Sequence, residues 1–186
     1  YLDITWFISI TSDIRNTVTN LQTKVVEELR SLYPDVKQEG TLPETLAAVS
    51  ESTGNRFIII IDEWDALFRE AQNDLTLQEQ YIQLLRGLFK SSGQTDKMIE
   101  AAYMTGILPI KKYGTQSAMT DFREYTMLQP EPLEEFAGFT EAEVRVLCEG
   151  SALSFSAVQE WYDGYILGGS THIYSPKSVM DALARN

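Results

Sequence analysis

Apolar positions along this chain change period several times, and each change marks a new element. The opening stretch, YLDITWFISI, is rich in β-branched and aromatic residues and predicts a strand. After Ser12, read as a cap, the period turns helical: Ile14, Val18, Leu21, Val25 and Leu29 share one face, and Pro34 ends the helix. Thr41 and Glu44 form a capping box ahead of Leu42, Leu46 and Val49, and Gly54 closes that helix. The segment RFIIIID is apolar without alternation. It predicts a strand buried on both faces, in a parallel sheet covered by helices. A helix is predicted at DALFREAQ, and a longer one follows with Leu77, Tyr81, Leu84, Leu85 and Leu88 facing inward. MIEAAYMTGILPI predicts a third strand ending near Thr105 and Gly106, and REYTMLQP a fourth, weaker one.

Strands alternating with helices predict an α/β fold with a parallel sheet. From Pro130 the texture becomes helical. GFTEAEVRVLCEG carries a second capping box, Thr140 with Glu143, and EWYDGY ends a further helix with Gly164 as its cap. Ser175 caps a last helix that has Pro176 in its first turn. The expected organisation is a core over residues 1–129 and a small helical subdomain over 130–186.

Composition narrows the function. At 186 residues and 44% hydrophobic, the chain can bury a core, and its net charge of −12 repels phosphate backbones, so direct nucleic-acid binding is not expected. One cysteine, Cys148, and one histidine, His172, exclude a disulfide and a histidine metal cluster and favour a reducing, cytoplasmic setting. Cys148 reads as a small hydrophobe and His172 as a surface residue. No apolar run approaches a membrane span.

The chemistry concentrates where four consecutive isoleucines, Ile58 to Ile61, meet Asp62 and Glu63. Open α/β sheets place ligands at the carboxyl ends of their strands. If the strand continued, the two side chains would point to opposite sides and do different work. One would hold Mg²⁺, directly or through water, and the other would orient a water for attack on a phosphoryl group. The simpler alternative is that Asp62 caps the next helix. Thr105, at the end of the neighbouring strand, would lie about 5 Å away and within reach of a phosphate or the attacking water. A phosphate-binding loop, G-x-x-x-x-G-K-[ST], does not occur in the sequence.

The segments FIIIIDEWDALFRE, MTGILPIKKYGTQSA, WYDGY and IYSPKSVMDAL together resemble the bacterial AAA-ATPase-like proteins, P-loop NTPases commonly followed by a PD-(D/E)xK nuclease-like domain. The resemblance covers nearly the whole chain. It implies that IIIIDE is the Walker B motif, with Asp62 the magnesium-associated acid and Glu63 the catalytic base, and that Thr105 occupies the sensor position. It also implies ATP and Mg²⁺ as ligands of the full protein. The Walker A loop would precede Tyr1 and the nuclease-like domain would follow Asn186. On that basis the chain is expected to be an incomplete P-loop core that binds nucleotide feebly, if at all, and is inactive alone. The missing strand would leave a gap, a rearranged sheet or an edge open to another chain.

Other residues carry weaker signals. Arg86 and Arg123 are candidate arginine fingers, though surface ion pairs suit both. Lys111, Lys112, Tyr113 and Gly114 form the one local basic cluster. Asp65 fits a helix N-cap paired with Arg69, and Trp64 is expected to pack. Trp161, Tyr162 and Tyr165 are expected to pin the helical subdomain. The rival to an ATPase module is a protein-interaction module with a vestigial nucleotide site, which would dock a partner protein or a second copy. A nuclease finds no support here, because no Glu-x-Lys partner accompanies Asp62 and Glu63.

Overall fold

The structure is a computed structural model and describes residues 1–36, 40–90, 93–109, 122–162 and 164–185. The chain divides into two compact units, Tyr1–Phe122 and Arg123–Asn186.

The first unit is α/β. Three parallel strands, β1 (Leu2–Asp3), β2 (Phe57–Asp62) and β3 (Ile99–Met104), lie in that order, with the isoleucine strand in the centre. Between β1 and β2 come α1 (Ile4–Ser9), a 3-10 turn at Ile14–Asn16, α2 (Thr17–Leu32) and α3 (Leu42–Thr53). α4 (Ala66–Glu70), α5 (Leu75–Phe89) and α6 (Thr95–Met98) connect β2 to β3.

Local chemistry explains the boundaries. In α3 the Thr41–Glu44 capping box forms as expected, with the Thr41 amide donating to Glu44 Oε2 at 2.7 Å, and Gly54 ends the helix at φ 72°. α5 is capped by Asp74, which accepts from the Leu77 amide. Two expectations at the start of the chain are corrected. Only Leu2 and Asp3 are extended, because the Asp3 side chain accepts from the Trp6 amide and starts a helix. Ile4, Phe7 and Ile8 then pack inward at i, i+3, i+4 spacing. The N-cap of α2 is Asn16 rather than Ser12, without a side-chain capping bond, and Asp13 accepts from the Arg15 amide to open the 3-10 turn ahead of it.

One face of the sheet carries the core. Ile59, Ile61 and Ile99 pack with Leu21, Leu29, Leu42, Leu67, Phe68 and Leu85. The other face differs from expectation. Ile58 is 66% exposed and Tyr103 54% exposed, and these two lie on the same face as Ile60 and Ala101 through the pairings Ile58↔Ala101 and Ile60↔Tyr103. Continuous apolar character in β2 therefore does not mean two buried faces: nothing among the described residues covers this one. A residue such as Ile58 gives up part of the roughly 1.5–3 kcal/mol that full burial of its side chain would contribute.

The second unit was expected to be helical, and its helices are joined by a sheet. β4 (Phe139–Thr140), β5 (Tyr165–Leu167) and β6 (Thr171–Tyr174) are antiparallel in the order β4-β6-β5. Gly168 and Gly169, both at positive φ, turn β5 into β6, a backbone conformation that glycine adopts at little cost. Around this sheet lie α7 (Glu141–Glu149), α8 (Phe155–Tyr162) and α9 (Pro176–Arg185). The Thr140–Glu143 capping box starts α7, and Ser175 accepts from the Ser178 amide at the start of α9. Val144, Cys148, Val158, Tyr174 and Val179 form the core of this unit, which is where Cys148 was expected.

Two further expectations fail in this unit. REYTMLQP is not a strand, since Thr126 folds it into a turn by accepting from the Leu128 and Gln129 amides. α8 stops at Tyr162, and Gly164 lacks the left-handed conformation expected of its cap. Among the described residues no helix is long and apolar enough to cross a membrane.

Candidate functional site

The register places the candidate site at the carboxyl ends of the strands. Asp3 pairs with Asp62 and Ile61 with Met104, so Thr105 stands beside the last residues of β2. The ladder continues through the strand ends: the Thr105 amide donates to Ile61 O at 3.0 Å, and the Trp64 amide donates to Thr105 O at 2.9 Å. Between those bonds the chain turns at Glu63, the one non-glycine residue at positive φ (51°) among the described residues. The left-handed region is sparsely populated outside glycine, asparagine and aspartate, so Glu63 sits in a backbone conformation its neighbours must hold. β2 therefore ends at Asp62, and the expected opposite-face arrangement gives way to a turn.

Thr105 links the two acids. Its hydroxyl donates to Asp62 Oδ1, and its oxygen accepts from the Glu63 amide at 3.3 Å. Asp62 Oδ1 also accepts from the Glu63 amide, and Asp62 Oδ2 accepts from the Tyr1 hydroxyl at 2.7 Å. The Thr105 hydroxyl, then Tyr1, hold the Asp62 carboxyl below its usual range, with partial burial opposing them. The same bond pushes the Tyr1 phenol up to about 12. Asp62 is not a helix cap. It is an ionised carboxylate at a strand tip.

Glu63 faces a different partner. Arg69, on α4, places Nη2 on Glu63 Oε2. Asp65 takes the N-cap position of α4, but its side chain does not cap that helix. Fully buried, it accepts instead from the Leu108 amide at 2.9 Å and the Ile107 amide at 3.3 Å, and lies 3.2 Å from Arg69 Nε. The expected Asp65–Arg69 pairing is present, whereas capping loses to the two amides that follow Thr105. Trp64 is buried as expected and packs edge-on against Phe68.

Among the described residues no group of three or more His, Cys, Asp or Glu is placed to hold a metal. The donor set at the strand tips therefore fits a magnesium ion only as one carboxylate beside waters and phosphate oxygens, a mode common for Mg²⁺. Clefts of about 720 Å³ (lined by Val18, Gln22, Thr41, Gln80 and Gln83 among others) and about 780 Å³ (lined by Glu44, Glu51, Gln94 and Lys97 among others) lie elsewhere. Asp62, Glu63 and Thr105 line neither cleft.

The other described candidates have partners of their own. Arg86 pairs with Glu79 at 3.2 Å, and Arg123 lies over the Tyr125 ring. Lys111, Lys112, Tyr113, Gly114 and Asp163 lie outside the described residues. Trp161 is 77% exposed, and Tyr162 and Tyr165 are exposed too, so none of the three is buried as an anchor. His172 is half-buried in β6 opposite Ile166. Tyr1 was missed as a partner of Asp62, and so was Arg69 as a partner of Glu63. Neither has a local sequence signal, since both contacts depend on the turn and the register.

Comparison with known proteins gives one finding. A family model described as Predicted AAA-ATPase matches residues 4–115. No curated protein and no solved structure matches the chain.

Proposed function

The chain belongs to this predicted AAA-ATPase family, and on that premise we propose that its strand tips are the hydrolytic half of a magnesium-dependent ATPase site. Asp62 is the acid associated with magnesium, Glu63 the base that orients the attacking water, and Thr105 the residue that senses the terminal phosphate or the water. The observation that supports this most is the Thr105 hydroxyl, which donates to Asp62 and accepts from the Glu63 amide. It ties both acids to the neighbouring strand at the end where parallel sheets bind ligands.

Each residue has work suited to its setting. Asp62, kept ionised by Thr105 and Tyr1, supplies an oxygen ligand or accepts from a metal-bound water. Magnesium, when bound, would neutralise charge on the phosphates. Glu63 is partly solvent-exposed and can accept a proton from water as the phosphoryl group is attacked. The sequence holds no G-x-x-x-x-G-K-[ST] loop, so these residues supply the hydrolytic side of the site and not the amides and lysine that cradle phosphates. Among the described residues β3 is an edge strand, and its outer side is where a further parallel strand would pair. Alone, the chain is then a weak nucleotide binder and inactive. The direct test is Glu63→Gln in the natural protein that carries this chain, which should retain ATP binding and lose turnover. Normal turnover by that variant would rule out Glu63 as the base.

A protein-docking module with a vestigial nucleotide site is the alternative, favoured by the uncovered face of Ile58, Ile60 and Tyr103. Failure of the natural protein to bind Mg-ATP would support it.

A further inference from the structure

Resting on that reading, we propose that Arg69, anchored by buried Asp65, is the positioning residue that sets Glu63 for its work as base. Three contacts in series connect the turn after β3 to the base. The Ile107 and Leu108 amides donate to Asp65, Asp65 lies 3.2 Å from Arg69 Nε, and Arg69 Nη2 engages Glu63 Oε2. Asp65 has no exposed surface. An ion so placed is retained only with compensating partners, and here they are two backbone amides and one guanidinium.

Arginine suits this place for a geometric reason. Its broad guanidinium lies 3.2 Å from the Asp65 carboxylate at Nε while Nη2 donates to Glu63, so one cation spans two acids that the compact ammonium of lysine does not reach together. Arg69 engages Oε2 of Glu63, which leaves Oε1 for a water, and the Glu63 side chain is 38% exposed, so water reaches it. Glu63 also sits at φ 51°, a backbone conformation that its neighbours must hold. Thr105 holds the Glu63 backbone, and Arg69 holds its carboxylate. Through Asp65 the same arginine is coupled to the residues just after Thr105, so the sensing residue and the base are registered to one another. Arg69 touches neither substrate nor reacting atoms in this scheme.

The test is steady-state Mg-ATP hydrolysis by the natural protein and by its R69Q, R69K and E63Q variants, with nucleotide affinity measured in parallel. A shift of about 1 Å in a catalytic group can cost roughly 100-fold in rate. R69Q should therefore lose about 100-fold in kcat, and R69K about tenfold, while KM and ATP affinity stay within about threefold. A role confined to folding would instead lower the melting temperature and leave kcat per folded molecule unchanged. R69Q at or above the wild-type kcat would overturn the proposal. R69K at the wild-type rate would do so as well, even if R69Q fails to fold. If E63Q hydrolyses ATP normally, the base assignment falls and the positioning role falls with it. An inactive E63Q beside a fully active R69K removes the positioning role alone.

Discussion

Gly106 lies so close to Trp64 that a Cβ built on it would stand 2.5 Å from Trp64 Cδ1 and 2.6 Å from its Nε1. Asp65 Oδ1 would be only 2.7 Å away. The glycine after Thr105 is thus required by close approach rather than by a left-handed turn. It lets the loop after β3 press against Trp64 and present the Ile107 and Leu108 amides to Asp65. Gly106→Ala should cost about 1–3 kcal/mol, the usual range for overpacking. The midpoint of urea unfolding measures this, and an unchanged midpoint would mean that the loop does not pack so closely.

Replacing Thr105 by valine keeps the shape and removes the donor that contributes most to lowering the Asp62 pKa. A carboxyl whose folded pKa lies below its unfolded value adds stability above the unfolded value and loses it as pH falls through the folded one. In the wild type this contribution is present above about pH 4 and disappears at lower pH, because the unfolded reference for aspartate is near 3.9. Thr105→Val should therefore show a shallower loss of stability below pH 4 than the wild type. Unfolding free energies between pH 2 and 6 check it. Parallel curves would contradict the assigned cause.

The two faces of β2 should respond oppositely to substitution. Ile61 is 1% exposed and surrounded by core side chains, so Ile61→Ala should cost about 2–5 kcal/mol. Ile58 is 66% exposed, and Ile58→Thr should stay within about 0.5 kcal/mol. Chemical denaturation of the isolated chain measures both. A large loss for Ile58→Thr would mean that this face is covered.

What the sequence made legible was local. The capping boxes Thr41–Glu44 and Thr140–Glu143 could be read because both partners lie within one turn. Asp62, Glu63 and Thr105 could be placed at neighbouring strand ends because parallel strands carry their sites there. The first helix was hidden by its β-branched and aromatic content, although Ile4, Phe7 and Ile8 already had helical spacing. The Glu63–Arg69 contact was invisible because six residues match no helical repeat, and the left-handed turn at Glu63 is what closes the distance. The face of β2 that no described residue covers was unreadable for another reason: an apolar strand records what it can bury, not whether a helix arrives to cover it. In the second unit, short strands such as Phe139–Thr140 are too brief to show a period.

Whether Asp62 and Glu63 serve ATP hydrolysis is decided by comparing Mg-ATP binding and turnover in the natural protein and its Glu63→Gln variant. The variant should keep its affinity and lose about 100-fold or more in turnover, as follows from removing a general base. Equal turnover in the two proteins, or no binding by either, would contradict that role.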